Sequence, residues 1–101
     1  MAFCLLWFED SKHLLIYFRA MTYYTYILFS EAIQKYYVGY TSLDINERVR
    51  RHNSNHKGFT GRTNDWKIVW FTTFDNVSDA IRKEKAIKNR GAKRFLDRLN
   101  Q

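Results

Sequence analysis

The sequence predicts an α/β chain of the α+β kind: a small three-stranded antiparallel sheet flanked by helices, in the order ββαβαα. Three observations carry this. Two tyrosine-rich runs, YYTYIL (Tyr23–Leu28) and YYVGYT (Tyr36–Thr41), hold six of the seven tyrosines and are separated by a short polar stretch, the pattern of a β-hairpin. A third run, WKIVWFTTF (Trp66–Phe74), is rich in β-branched and aromatic residues. Between and after these runs, apolar residues return at three- and four-residue intervals, the period of an amphipathic helix.

Taken in order, Tyr23–Phe29 is the first strand, Ser30–Lys35 the turn and Tyr36–Tyr40 the second strand. A helix opens at Asp44, an N-cap with Glu47 three residues on, and runs to about Asn53 with Ile45, Val49 and His52 on one face. The segment Ser54–Asp65 is a polar loop containing Gly58 and Gly61, and Trp66–Phe74 is the third strand. Ser78 is expected to cap a second helix that Gly91 ends, and Ala92, Phe95, Leu96 and Leu99 give a last short helix its apolar stripe.

At 101 residues the chain has room for one core, and with 46% hydrophobic and 18% aromatic residues it is not a disordered segment. Its one cysteine, Cys4, excludes an intrachain disulfide and makes a reducing cytoplasm the default compartment. Residues 1–20 contain two apolar runs, AFCLLWF and LLIYF, split by EDSKH. Each is far short of the roughly 20 residues of a membrane span, so no membrane partner is expected. There is also no basic leader with a small-residue cleavage site. Two readings of this segment stand: a strand or helix packed on the domain, or an N-terminal extension with Met21 as the natural start of a domain 21–101. The formal charge is +7, and because residues 1–20 sum to zero, all of it lies in residues 21–101. Arg82–Arg98 alone holds eight basic residues against Glu84 and Asp97, a local net of +6. Such a field attracts phosphate polymers or anionic lipid, or it is simply a solvated helix face.

Several residues fit the core poorly. On the second helix Val77, Ala80, Ile81 and Ile87 form a stripe whose continuation at position 84 is a carboxylate, Glu84. A charge facing the core must be paired with a neighbouring Arg or Lys, or must bind a cation. On the first helix Arg48 and His52 are four apart and share a side, with His52 also touching the apolar face as a satisfied core histidine would. Arg50 and Arg51 read as solvent or phosphate contacts, and the loop adds His56, Lys57 and Arg62 beside two glycines whose amides could approach an anion. A turn centred between Glu31 and Ala32 sets Tyr26 opposite Tyr37. Moving its centre by one residue leaves them diagonal neighbours on one face, and moving it by half a residue separates them. Gly39, without a side chain, leaves room for a ligand or another backbone beside them. The tyrosines are therefore either cross-strand packing or the wall of a polar pocket.

This constellation resembles the GIY-YIG endonuclease superfamily, in particular its small single-domain bacterial members, over residues 22 to about 100. Tyr24-Thr25-Tyr26 stands where that family has Gly-Ile-Tyr, and Tyr37-Val38-Gly39 where it has Tyr-Ile-Gly, with the motif tyrosines eleven residues apart. Arg48 falls at the family's catalytic arginine, His52 at the histidine one turn later, and Glu84, in RKEKAIK, at its metal-binding glutamate. The first motif lacks its glycine. The family's C-terminal asparagine has no clear counterpart, Asn89 and Asn100 being the ones available.

The resemblance implies hydrolysis of phosphodiester bonds in nucleic acid, DNA rather than RNA, with Mg²⁺ or another divalent cation held by Glu84, the scissile phosphate and waters. Arg48 would offset charge on the phosphoryl oxygens. Tyr26 and Tyr37 would position or deprotonate the attacking water, which requires that cationic neighbours lower a phenol pKa from its ordinary value near 10. His52 is a reserve for proton transfer. Gly39, Arg51, His56, Lys57, Arg62, Lys85 and Lys88 are the expected nucleic-acid contacts. So small a domain leaves specificity low or supplied by a protein partner. The rival readings are a non-cleaving nucleic-acid-binding module on the same fold and a membrane-surface protein.

Overall fold

The computed structural model describes residues 22–54 and 56–100. The expectations for residues 1–20 lie outside the described residues. Strands β1 (Tyr23–Ser30), β2 (Lys35–Thr41) and β3 (Lys67–Phe74) form one antiparallel sheet in the order β2-β1-β3. Helix α1 (Ile45–His52) follows β2, and α2 (Val77–Arg90) and α3 (Ala92–Leu99) follow β3, giving the expected ββαβαα order. Helices cover both faces of the sheet, which explains why the central strand is sealed: Thr25, Tyr26, Ile27 and Leu28 are all fully buried. Tyr26 and Leu28 pack with Ile45 and Trp66 under α1, while Ile27 packs with Val38 and Ile87 on the α2–α3 side. Thr25 pins α2 to the sheet by donating its hydroxyl to the Ala80 carbonyl at 2.8 Å.

The hairpin register differs from the simplest expectation by one residue of turn. Ser30 pairs with Lys35, so the turn is centred between Ala32 and Ile33, and Tyr26 lies opposite Gly39 with Tyr37 its diagonal neighbour. Asp65 sets the turn. Its carboxylate accepts from the Ser30 hydroxyl and from the Ala32 amide, and these bonds with that of Thr63 hold its pKa down to about 2. Gln34, in the left-handed region at φ 53°, closes the turn.

Strand β3 carries a bulge, because Ile27 pairs with Trp70 but Leu28 with Ile68, leaving Val69 without a partner. The extra residue lets Ile68 and Trp70, which plain alternation would put on one face, enter the two different cores. Asp44 caps α1 as expected, accepting from the amides of Asn46 and Glu47. Glu47 does not close a capping box; it pairs with Arg50 and Arg51. The cap of α2 is Asn76, not Ser78: the Asn76 side chain accepts from the Asp79 amide at 2.9 Å, and the helix starts one residue before Ser78. Gly91, at φ 100°, ends α2 and opens α3 in a conformation that other residues rarely adopt.

Candidate active site

Tyr26 is the hub. It projects from the central strand toward β2 and crosses over Gly39. A Cβ at position 39 would lie 2.7 Å from the Tyr26 hydroxyl and 2.9 Å from the Tyr37 ring. The missing side chain therefore makes room for a phenol, not for a ligand or another backbone, and Gly39 is itself buried, which removes it from the expected nucleic-acid contacts. The phenolic oxygen meets His52 Nε2 at 2.8 Å and accepts from Arg48 Nε at 3.3 Å. The four-residue spacing on α1 is what lets both side chains reach one oxygen. Tyr37 lies beside them, its ring centroid 4.8 Å from that of His52 and 6.4 Å from that of Tyr26. The expected same-face arrangement of the two tyrosines thus holds with Tyr37 diagonal.

The two tyrosines are not equivalent. Tyr26 is 0% exposed, and burial pushes its hydroxyl up to about 12, with Arg48 only partly opposing the shift. The expectation that cationic neighbours lower a tyrosine fails for Tyr26, because desolvation of the phenolate outweighs one guanidinium. Tyr37 is half-buried and lines an open cleft of about 580 Å³ together with Arg48, Arg51, His52, His56 and Phe59. Burial and the nearby Arg48 and His56 lower His52 to about 4, so at neutral pH its ring is uncharged.

The loop after α1 is more ordered than a polar, glycine-bearing stretch suggests. Phe59–Arg62 forms a 3₁₀ turn that brings Thr60 beneath the site. The Thr60 hydroxyl lies 2.8 Å from His52 Nδ1 and 3.0 Å from His56 Nε2. Its carbonyl accepts from the Trp66 indole, while Asn53 clamps the Trp66 backbone at both N–H and C=O. The two loop amides expected to approach an anion are used internally. Gly58 donates to His56 Nδ1 and Gly61 to the Gly58 carbonyl. Thr60 was not foreseen. The one signal for it is indirect: a histidine buried at a helix terminus has two ring nitrogens, and both need partners.

Among the other expected contacts, Arg51 lines the cleft but shares Glu47 with Arg50. Arg62 stacks its guanidinium over Phe59 at 5.3 Å, and Lys57 and Lys85 are exposed and outside the cleft lining. Another hollow, of about 350 Å³, shares Tyr37 and Phe59 with the cleft and reaches Lys88. Lys88 holds Glu84 at 3.0 Å, so the neighbour pairing allowed for Glu84 is present, and its side chain is 14% exposed. Glu84 does not line the cleft, yet it is near enough that its charge disfavours ionisation of Tyr26.

A family model described as the GIY-YIG catalytic domain matches residues 22–98. The chain belongs to the GIY-YIG family. Comparison with curated proteins and with solved structures gives no match. GIY-YIG domains are nuclease domains of the endonuclease kind, which makes nucleic acid the substrate, and they are typically divalent-metal dependent. Among the described residues no three His, Cys, Asp or Glu side chains gather into a cage. A lone carboxylate nevertheless suits Mg²⁺, which keeps most of its water and takes phosphate oxygens as further ligands. Glu84 fits that part. Its cationic partner, half-exposed on a flexible stem, is four residues away on the same helix and can release it. No helix among the described residues is long and apolar enough to cross a membrane.

Proposed function

We propose that this GIY-YIG domain is a metal-dependent endonuclease that hydrolyses phosphodiester bonds, with DNA as the preferred substrate and a cytoplasmic location. The observation that carries the reading is the Arg48–Tyr26–His52 cluster, whose Arg48 and His52 line a cationic cleft, with the Glu84 charge felt at Tyr26. Glu84 would hold the divalent ion, which when bound supplies Lewis-acid polarisation of the scissile phosphate. Arg48 spends only its Nε on Tyr26. Its two terminal nitrogens make no hydrogen bond among the described residues, which leaves a planar fork for phosphoryl oxygens. Tyr37, the tyrosine that borders the cleft, is assigned the contact with the attacking water. Tyr26, sealed and hard to ionise, holds the arginine and the histidine rather than taking a proton itself. His52, uncharged and engaged at both nitrogens, is support rather than a proton carrier. Arg51 supplies phosphate-directed charge in the cleft, and Arg62, Lys57 and Lys85 are assigned phosphate contacts outside its lining.

One observation favours a second reading. The Lys88–Glu84 ion pair neutralises the carboxylate assigned to the metal, as a non-cleaving nucleic-acid-binding module would allow. Incubation with branched, single-stranded and duplex DNA and RNA, with and without Mg²⁺, decides between them. Mg²⁺-dependent cleavage of DNA that Arg48→Ala abolishes is the expected result. Salt-sensitive binding with every substrate left intact would overturn the nuclease reading in favour of the binding module.

A further inference from the structure

Phe59 stands outside the core it adjoins. Its chain neighbour Thr60 is buried and Trp66, against which it lies at 6.0 Å, is 2% exposed, whereas Phe59 itself is 41% exposed and belongs to neither apolar cluster. A single exposed aromatic is ordinary on a protein surface. The surroundings of this one are not. Phe59 lines both the cationic cleft, with Arg48 and Arg51, and the hollow of about 350 Å³, where Tyr36, Val38 and Ala92 give an aromatic and aliphatic wall and Lys88 a cation. The Tyr37 ring runs nearly parallel to it, at 21° and 6.3 Å between centroids. The guanidinium of Arg62, exposed and without a carboxylate partner among the described residues, lies over it at 5.3 Å. The turn that carries the ring is compact: Gly61 donates to the Gly58 carbonyl, and a Cβ at Gly61 would overlap the His56 carbonyl. Phe59 is thus displayed in a set position, so little loop order is lost when a ligand covers it.

A flat aromatic face beside guanidinium groups matches the two halves of an unpaired nucleotide, a base that stacks and a phosphate that pairs with cations. A base inside a duplex has no free face to offer, because its stacked neighbours cover both. The Arg62 contact does not close the ring to a base. A cation–π contact at an exposed site is weaker than a base–aromatic stack, so the base displaces the guanidinium, which then turns to a phosphate. We propose that Phe59 is a stacking platform that selects DNA with an unpaired base near the scissile phosphate. The base lodges against Phe59 in the hollow it shares with Tyr37, and the adjoining phosphates lie in the cleft.

The scissile bond belongs to the nuclease reading above, on which this assignment rests, but the stacking is measured without cleavage. A short single-stranded DNA carrying 2-aminopurine, titrated with the full chain in the absence of divalent metal, reports a stacked base as loss of fluorescence. Wild type should quench the probe. Phe59→Ala should leave it largely bright and weaken single-strand binding by about 10- to 100-fold, with binding of an uninterrupted duplex of the same sequence changed by no more than about twofold. Phe59→Tyr should restore quenching and affinity. Phe59→Leu, which keeps apolar bulk but has no π face, should not, and the Leu–Tyr contrast decides the matter even where Phe59→Ala folds poorly by circular dichroism. With Mg²⁺, wild type should cut DNA at a single-stranded junction faster than uninterrupted duplex, and Phe59→Leu should lose that preference. A probe left bright by wild type, or single-strand and duplex affinities that fall together or not at all in Phe59→Leu, overturns the platform; cleavage that persists in that case leaves the nuclease reading standing. Quenching that only an aromatic residue supports, in a chain that cuts nothing, refutes the nuclease reading and leaves the platform standing. A chain that binds no DNA refutes both.

Discussion

Adding one methyl group at Gly39 tests the geometry of the site more directly than removing any of its functional groups. The new Cβ would sit 2.7 Å from the Tyr26 hydroxyl, 2.9 Å from the Tyr37 ring and 3.0 Å from Tyr26 Cζ. Ordinary contact begins near 3.4 Å, so the phenol must retreat by about 0.7 Å. It has nowhere to go without loss, being fully buried and held by bonds of 2.8 Å to His52 and 3.3 Å to Arg48. A shift of that size lengthens one of them past a useful hydrogen bond. Overpacking costs about 1–3 kcal/mol and a stranded buried phenol about 1–3 kcal/mol more, less about 0.4–1 kcal/mol from the reduced freedom of the unfolded chain. The expected net for Gly39→Ala is a destabilisation of about 2–4 kcal/mol, or a Tm lowered by at least about 8 °C in a domain of this size. Thermal melts followed by circular dichroism measure it, and cleavage of the preferred substrate should fall in parallel. Had Gly39 been left open for a substrate, the same change would leave the Tm alone and weaken nucleic-acid binding. An unchanged Tm with weakened binding would refute the packing described for Tyr26.

Glu84→Gln should lower Mg²⁺-dependent cleavage by at least about a hundredfold, as losing several kcal/mol of metal anchorage would. Filter binding should show nucleic-acid affinity kept or raised, and the Tm should move little, because an ion pair to a half-exposed lysine contributes about 0–1 kcal/mol. Arg48→Lys keeps the charge but loses both the fork and the Nε bond to Tyr26, so single-turnover rates should drop about a hundredfold with binding nearly intact. His52 predicts an acid limb in stability. Its folded pKa of about 4 lies below the ordinary 6.5, so the unfolded chain takes up the proton first. This contribution is complete above about pH 6.5 and is lost as pH falls toward 4. Denaturant melts across that range should show the loss in the wild type and a smaller one in His52→Gln.

The strand and helix order was legible in the sequence because each element carries its own period. Tyrosine runs around a polar turn, a capped helix from Asp44, and a glycine after Arg90 are local signals, and local backbone preferences settle them. So was the pairing of Arg48 with His52, which needs only 3.6 residues per turn. That Tyr26 and Tyr37 share a face was expected from a symmetric turn, but the register that secures it was not legible: Asp65, thirty-odd residues away in sequence, clamps the hairpin turn one residue later than symmetry suggests. The bulge at Val69 is equally invisible to periodicity, since only the presence of a core on each face gives Ile68 and Trp70 a reason to part.

The chemistry divides in the same way. The residue types at the site could be read from spacing, but their states could not. A tyrosine near an arginine looks acidified on paper; the depth of burial, a property of the whole sheet and its two helical layers, raises Tyr26 instead. A glycine between aromatics looks like an opening, yet the phenol that fills it comes from the neighbouring strand. Thr60 sits in a stretch whose composition says loop, and becomes a partner of His52 only when the 3₁₀ turn folds back under the helix end. Sequence determines what recurs at short range along the chain. Registers and burial belong to distant segments meeting in space, and only the tertiary structure decides them.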